Sequence, residues 1–308
     1  MKSKQQLEQA IRKHKRAVLL VNAKSRKGAA LFKTAKALLL EQGITLDAAY
    51  AIRDMRLMDA TIQKALSHNP ELLVVGSGDG TLATVVDHLA YCDTVVAFIP
   101  LGTTNNFART LGIPLTIEGA VDVITHGKVA DIDLGKVNDD YFTNVTSLGI
   151  SVAISSTVSH RLKKRIGRLA YVIAGARALL NHRAFHATVV TEHKAYEFDT
   201  HQIIVANGRF HGGTLIAEDA SVDSHELVVF HLGDHRRWQL LVTLLKFGFK
   251  RRRTLQDGNF IVTKKARIIT HPKRRVEIDG EVSLATPIDI SIAPNALRML
   301  VPQDFEDD

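Results

Sequence analysis

The fold of this chain is decided by the stretch Leu72–Val86, which reads LLVVGSGDGTLATVV. It opens with an uninterrupted apolar run containing β-branched residues, which is typical of a buried parallel strand. Glycines follow at positions 76, 78 and 80, and they allow positive φ angles and close approach of another group to the backbone. Thr81 then stands where a helix N-cap is expected, ahead of apolar residues at helical spacing that begin with Leu82. The stretch therefore predicts a strand, a tight loop and a helix.

A glycine-rich loop between a strand and a helix is suited to phosphate binding, because N–H groups and the positive end of the helix dipole face it. Asp79 makes the prediction more specific, since a carboxylate repels phosphate oxygens unless a cation lies between them. The simplest interpretation is a polyphosphate with Mg²⁺, in which Asp79 is a ligand of the metal or of its water. The alternative is a glycine-rich turn with a surface aspartate.

Two better-known phosphate motifs do not match this loop. The third glycine position of the dinucleotide fingerprint is occupied by Thr81, and no acidic residue that could bind a ribose stands near the end of the next strand. A P-loop requires a lysine at the start of the helix, and none is present there.

Length and composition indicate a soluble globular protein with room for two domains, because the chain has 308 residues, 45% hydrophobic and 23% charged. It contains neither an apolar run long enough to span a bilayer nor a signal-peptide pattern. A single cysteine, Cys92, excludes an intramolecular disulfide and suits a reducing compartment, so we expect a cytoplasmic protein. The net charge of +8 suits a nucleotide or an acidic membrane surface, and we expect no nucleic-acid partner.

Strands and helices alternate in the first half of the chain. Strands are predicted at residues 17–21, 44–52, 72–75 and 94–99, and helices at 29–41, 58–67 and 117–126. This order predicts a parallel sheet covered by helices on both faces. Because ligands bind at the carboxyl ends of such strands, the three polar loops that contain Asn22, Gly78 and Thr103 are expected to converge there.

Short alternating strands dominate after residue 133 and predict an antiparallel sandwich or barrel. They are expected at residues 185–190, 201–206, 226–231, 266–270, 276–278 and 288–292. Helices are expected at residues 161–181 and 238–249. The second helix runs into the basic residues 250–253, which would suit an anionic membrane surface; the alternative is a core-packed helix with a solvated basic end. We predict domains at residues 1–133 and 134–292.

Four segments together resemble the diacylglycerol kinase catalytic family, in its soluble bacterial lipid-kinase branch. They are Val21–Ser25, Ser77–Thr81, Pro100–Arg109 and Ile278–Glu281. The resemblance implies a phosphofructokinase- or NAD-kinase-like three-layer α/β domain, followed by an antiparallel β-sandwich domain, with the nucleotide between them. It also implies that the final segment, about residues 293–308, returns to the first domain.

The resemblance further implies ATP and Mg²⁺ as cofactors, and a lipid substrate that is met peripherally at a membrane surface. The residues expected to border the nucleotide, its phosphates or the metal are Asn22, Ser77, Gly78, Asp79, Gly80, Thr81, Thr103 and Asn105. Glu281 would be the general base toward a lipid hydroxyl. Because it follows the hairpin-turn pair Asp279–Gly280, we expect it at the start of a strand, with Asp279 supporting the turn.

Ser77 and Ser224–His225 are departures from the family pattern. Ser77 replaces the first glycine of Gly-Gly-Asp-Gly-Thr, which is tolerable if its φ stays negative. Ser224–His225 replaces an Asp-Gly pair whose aspartate orders a structural Mg²⁺ in some relatives. Asp223 is the candidate metal ligand here, but neighbouring side chains on a strand point to opposite faces, so we do not expect this second metal site to persist.

Three functions remain open at this stage. The preferred one is a lipid kinase acting on diacylglycerol or a related lipid alcohol, such as a sphingoid base or phosphatidylglycerol. An NAD kinase-like enzyme would need an Asn-Glu pair where this chain has Asn105–Asn106. The third is a nucleotide- or lipid-binding regulatory protein that has lost catalysis, although Asp79 and Glu281 are both retained. The oligomeric state is also open, with a homodimer as one alternative.

Overall fold

The computed structural model describes residues 2–24, 28–157, 183–207, 210–211, 214–215, 222, 224–233 and 259–306. Its helices are α1 (Lys4–His14), α2 (Gly28–Glu41), α3 (Met58–Leu66), α4 (Asp79–Asp87), α5 (Asn106–Thr110), α6 (Ile117–His126) and α7 (Ile150–Thr157), with a 3₁₀ turn at Met55–Leu57. The predicted helices at 161–181 and 238–249, the basic residues 250–253 and Asp223 lie outside the described residues.

The strands of the first half are β1 (Arg16–Asn22), β2 (Thr45–Ile52), β3 (Leu72–Ser77), β4 (Val95–Pro100), β5 (Lys128–Val137), β6 (Asp140–Phe142) and β7 (Val145–Gly149). Those of the second half are β8 (Phe185–Thr191), β9 (Ala195–Ala206), β10 (Phe210–His211), β11 (Thr214–Leu215), β12 (Leu227–Gly233), β13 (Asn259–Thr263), β14 (Lys265–His271), β15 (Arg275–Ile278), β16 (Glu281–Ala285) and β17 (Ile288–Val301).

Parallel strands in the order β2-β1-β3-β4 form the sheet of the first half, which confirms the predicted parallel arrangement. Every residue of β3 and β4 is buried, as expected for strands with helices on both sides. The long strand β17 continues this sheet, since Met299 pairs with Val96 of β4 in parallel. Its other end pairs with β14 in the antiparallel direction, so one strand belongs to both halves of the molecule. The boundary near residue 133 stays a prediction.

The second half is antiparallel, as predicted, and its strands follow the order β16-β15-β7-β9-β8-β14. Their inward side chains form a second hydrophobic core, whose largest members include Phe142, Leu148, Phe185, Ile203 and Ile268. The predicted strand at 201–206 is the end of the longer β9. Residues 195–199 were missed although Tyr196 and Phe198 alternate with polar residues, as in a half-buried strand, and both pack against this second core.

The first helix, α1, was not predicted. Ser3 and Gln6 form a capping box at its start, in which the Ser3 hydroxyl accepts the N–H of Gln6 and the Gln6 side chain accepts the N–H of Ser3. Only Leu7 and Ile11 are buried, against the edge of the fold that contains β5. Two apolar residues one turn apart give a weak periodic signal, so this helix depends on its cap and its packing.

One buried carboxylate connects the two halves where β17 passes between them. Asp133 of β5 is fully buried and accepts the backbone N–H groups of His225 at 2.7 Å and of Asn295 at 2.8 Å. The ring Nδ1 of His225 lies 2.8 Å from the same carboxylate. Asn295 lies in the irregular part of β17, between Ala293 and Leu297. Asp133 therefore stabilises the bend of β17 and the segment that precedes β12.

We expect Asp133→Ala to lower the free energy of unfolding by about 1–3 kcal/mol, because donors in a partly buried site lose their acceptor. Asp289→Ala is the matched control, since the Asp289 side chain is exposed and its one polar contact with the described residues is a 3.5 Å ion pair with Arg267. Asp289→Ala should change the free energy of unfolding by no more than about 0.5 kcal/mol. Urea unfolding measures both values, and equal midpoints for the two variants would contradict the role of Asp133.

Candidate active site

The three polar loops at the carboxyl ends of β1, β3 and β4 meet, as the strand order predicts. Asn22, at the end of β1, donates from Nδ2 to the hydroxyl oxygen of Thr81 at 2.7 Å. Its Oδ1 accepts the N–H of Lys24 at 3.1 Å, which ties the start of the basic loop to the same side chain. Thr81 is therefore not the N-cap of α4. The helix begins earlier, at Asp79, and Gly78 stands at its N-cap position. No side chain caps this end of the helix.

The loops of Gly78 and Gly102 approach each other so closely that a side chain at Gly102 would clash and one at Gly78 would be a tight fit. A Cβ built on Gly102 would lie 2.7 Å from the Cα of Gly78, and one built on Gly78 would lie 3.1 Å from the Cα of Gly102. The close approach that glycine allows is thus present. The positive φ that glycine also allows is not used here, since Gly78 has φ −97° and Gly76 and Gly80 are also outside the left-handed region.

Asn105 braces the second of these loops. Its Oδ1 accepts the N–H of Gly102 at 2.8 Å, and its Nδ2 donates to the Gly102 carbonyl at 3.2 Å. Its backbone is left-handed, with φ 48°, a conformation that asparagine tolerates better than most residues. Asn105 lines neither of the two cavities described below, and these two contacts brace the loop, so its place beside a nucleotide stays a prediction.

Asp79 connects the first loop to helix α5. Its Oδ2 accepts the hydroxyl of Thr104 at 3.1 Å and the N–H of Asn106 at 3.0 Å, while Oδ1 accepts the N–H of Phe107 at 3.1 Å. The carboxylate therefore caps α5 and is more than a surface group on a turn. The sequence did not indicate the contact with Thr104, because 25 residues separate the two positions.

Glu281 lies where the hairpin prediction placed it, as the first residue of β16. The turn before it consists of Asp279 with φ 43° and Gly280 with φ 98°, the two positive φ angles that a type I′ turn requires. The Oε1 of Glu281 lies 3.8 Å from the position that a Cβ on Gly80 would occupy. Its carboxylate is exposed and makes no hydrogen bond or ion pair with the described part of the chain. It is therefore available to a ligand beside the glycine loop.

Asp279 holds this hairpin turn against the start of β7. Its carboxylate accepts three successive backbone N–H groups, from Thr143 at 2.6 Å, Asn144 at 3.0 Å and Val145 at 3.1 Å, and the Thr143 hydroxyl at 2.8 Å. Burial raises the pKa of Asp279 above its ordinary value, and these hydrogen bonds act in the opposite direction. The turn that presents Glu281 is thus fixed by a segment about 135 residues earlier.

Two cavities flank the glycine loop, and both are lined by Gly78, Asp79, Gly80 and Gly102. The larger, of about 450 Å³, is also lined by Asn22, Lys24, Met55, Ser77, Thr81, Thr84, Leu101 and Glu281. The smaller, of about 330 Å³, is also lined by Thr103, Thr104, Asn106, Asn144, Val145, Asp279 and Gly280. The predicted residues Asn22, Ser77 and Thr81 thus fall together in one cavity and Thr103 in the other.

Several lining residues were not predicted. Lys24 stands within the basic loop that follows β1, so its charge was a usable signal. Met55 and Asn144 reach the site through the packing of distant segments, which a local pattern does not reveal. Across the described ranges, no cluster of three or more histidine, cysteine, aspartate or glutamate side chains could hold a metal ion.

The chain is similar to known proteins over most of its length. The profile of the diacylglycerol kinase catalytic domain matches residues 16–137, and that of the YegS C-terminal NAD kinase beta sandwich-like domain matches residues 144–301. A Staphylococcus aureus (strain JH9) protein provisionally named a lipid kinase is 31% identical over 251 residues, which cover 79% of this chain and 81% of that protein. The chain belongs to the diacylglycerol kinase catalytic family.

Solved structures share the fold of this diacylglycerol kinase family member. A Bacillus anthracis protein provisionally named a diacylglycerol kinase superposes with a TM-score of 0.79 at 24% identity, over 95% of this chain and 97% of that one. A second Bacillus anthracis diacylglycerol kinase gives a TM-score of 0.75 at 23% identity, over 93% and 97%. The α/β domain followed by a β-sandwich-like domain is therefore confirmed. None of the helices in the described ranges combines the length and apolar character needed to cross a membrane.

We expect Asp79→Ala to lower the free energy of unfolding by about 0.5–2 kcal/mol, because α5 loses its cap. Glu281→Ala, at an exposed carboxylate on the other side of the same loop, should change it by less than about 0.5 kcal/mol. Chemical denaturation without nucleotide measures both variants. If Asp79→Ala were as stable as Glu281→Ala, the capping role would be wrong.

Proposed function

We propose that the chain transfers the γ-phosphoryl group of ATP to a hydroxyl of a membrane lipid, most simply diacylglycerol or a related lipid alcohol. The observation that carries this proposal is the carboxylate of Glu281, which has no hydrogen-bond or ion-pair partner among the described residues and whose Oε1 lies 3.8 Å from the position that a Cβ on Gly80 would occupy. Family membership supports a kinase, and a free base beside a phosphate-binding loop fits an alcohol acceptor.

The larger cavity is the proposed site of the nucleotide phosphates. Helix α4 has no side-chain cap, so its first backbone N–H groups remain available to phosphate oxygens. Lys24 lines the same cavity and adds a positive charge. The contact between Asn22 and Thr81 sets the distance between the first loop and the start of the helix.

The residues present fit a magnesium ion bound together with phosphates. Asp79 lines both cavities, and its Oδ1 accepts a single hydrogen bond, so a lone pair remains for the metal or its water. One or two carboxylates with substrate phosphates are the usual protein environment of Mg²⁺. When bound there, the ion would neutralise charge on the phosphates.

Glu281 is the proposed general base. The lipid hydroxyl oxygen attacks the γ-phosphorus, the bond from that phosphorus to the leaving ADP breaks, and the hydroxyl proton passes to Glu281. An alcohol is a far weaker acid than a carboxylic acid, so Glu281 first orients the hydroxyl and accepts its proton late. Acting on a lipid also implies contact with a membrane surface, which the positive net charge of +8 would favour.

We expect Glu281→Gln to reduce lipid phosphorylation by about 10²–10⁴-fold, the usual contribution of a general base. The assay follows transfer from γ-labelled ATP, with Mg²⁺, to lipids in mixed micelles. Glu197→Gln, at an exposed position of β9, is the matched control and should retain the wild-type rate.

Equal rates for wild type and Glu281→Gln would contradict the base assignment. Absence of any labelled lipid, with ATP binding retained, would favour the regulatory binding protein.

A further inference from the structure

Strand β13 places two large apolar side chains in solvent. Phe260 is 44% exposed and Val262 is 56% exposed, while the alternate residues Ile261 and Thr263 are buried. The exposure is therefore confined to one face of the strand. Within the described residues, β13 pairs with β12 alone, so it forms an edge of the sheet there. Exposed apolar groups that share one face mark an interaction site more often than scattered ones do.

These side chains end rows that cross the sheet from the candidate active site. Directly paired residues of neighbouring strands place their side chains on the same face. One row starts at Val145, which lines the smaller cavity beside the glycine loop, and runs through Ala206 and Val228 to Val262. The first three residues are buried, so this apolar row opens to solvent at β13. Three strand spacings, about 14 Å, separate its two ends.

The neighbouring row is aromatic at its outer end. Phe230 of β12 pairs with Phe260 in register, and their ring centroids lie 5.3 Å apart at an interplanar angle of 49°. Tilted aromatic pairs of this kind are favourable, and Phe230 itself is buried. The ring of Phe260 is thus held in place before any partner binds, which reduces the entropy cost of docking.

Basic residues border the apolar pair. Lys264 and Lys265 directly follow β13, and both are exposed. Lys265 lies 3.9 Å from the carboxylate of Glu192, whereas Lys264 makes no ion pair within the described part of the chain. In the sequence, the residues at 250–253 are basic as well, and the whole chain carries a net charge of +8.

This combination of charge and apolar surface selects the kind of partner. An anionic bilayer attracts the lysines through its headgroups and accepts the apolar side chains below them. A second copy of the chain would bring the same positive charges to the interface, and like charges in an interface are unfavourable.

We propose that Phe260, Val262 and Lys264 form the surface by which this protein seats on an anionic lipid bilayer. The inference rests on the proposed lipid kinase function and names where the enzyme meets the membrane that holds its substrate. The smaller cavity then lies about 14 Å along the sheet from the bilayer contact, less than the thickness of one leaflet, about 20 Å. A lipid that rises partly out of the leaflet can therefore reach the cavity.

Binding to vesicles tests this surface without any need for catalysis. The protein, free of nucleotide, is sedimented with vesicles of phosphatidylcholine mixed with phosphatidylserine, and its partition coefficient is measured. We expect Val262→Asp to lower this coefficient at least about tenfold, because an apolar contact is lost and a negative charge faces the anionic headgroups. The matched control is Val190→Asp, at an exposed valine of β8, which changes the net charge equally and should stay within about twofold of wild type.

Two further variants separate the apolar and the ionic contributions. Val262→Thr keeps the shape of the side chain, so it carries the test if Val262→Asp does not fold, and it should weaken binding about fourfold. Lys264→Gln should weaken binding to the mixed vesicles about fivefold and leave binding to pure phosphatidylcholine vesicles unchanged.

Unchanged binding in both Val262 variants, or an equal loss in Val262→Asp and Val190→Asp, would overturn the proposal. It would also fail if Val262→Asp split a dimer and bound vesicles like the wild type, and β13 would then be a contact between two copies. Phosphorylation of lipids in mixed micelles by a wild type that binds no vesicles would overturn this surface while the lipid kinase function stands. Vesicle binding that Val262→Asp abolishes, without phosphorylation of any lipid, would support the surface and reject the lipid kinase function.

Discussion

The carboxylate of Asp79 is the interaction on which the candidate active site depends. It stands at the start of α4 and accepts hydrogen bonds from Thr104, Asn106 and Phe107, at the start of α5. Helix α5 has five residues, too few to be stable without tertiary contacts, so its position follows from this cap. The contact of Gly78 with Gly102 is then possible because neither residue carries a Cβ. The Asp79 carboxylate thus holds the loop of Gly78 against the loop of Gly102.

A second carboxylate, that of Asp279, holds the hairpin turn that carries Glu281. Asp279 accepts three consecutive backbone N–H groups at the start of β7 and so ties the turn of the β15–β16 hairpin to the rest of the second half. Glu281 needs no contact of its own to be oriented, because the turn before it is fixed. An exposed carboxylate can therefore occupy a defined position: Asp279, two residues earlier, makes the structural hydrogen bonds, and Glu281 stays available to a ligand.

The parts of the fold that follow local rules were predictable from the sequence. Apolar runs and glycine-rich turns located β1, β3, β4 and α6, and the pair Asp279–Gly280 located the start of β16. The predictions that failed concern residues whose roles depend on contacts between distant segments. Thr81 was assigned as an N-cap from its place before an apolar pattern, yet its hydroxyl pairs with Asn22, 59 positions away. Asn144 lines the smaller cavity, and no local pattern indicated it, because it reaches the site through the packing of distant segments.

The two departures from the family pattern bear on whether the chain has lost catalysis. Ser77 ends β3, pairs with Pro100 in the strand register and keeps a negative φ, so the absent glycine causes no strain. Its hydroxyl donates to the Gly78 carbonyl at 3.1 Å, which satisfies a buried group. His225, at which the family pattern led us to expect a glycine, takes a left-handed φ of 54°, and its N–H and ring both face the buried Asp133. Each substitution is accommodated by a specific hydrogen bond, and neither alters the carboxylates of Asp79 and Glu281. Ser77 and His225 therefore stabilise the same architecture through other hydrogen bonds. Neither residue gives a structural reason for an inactive protein.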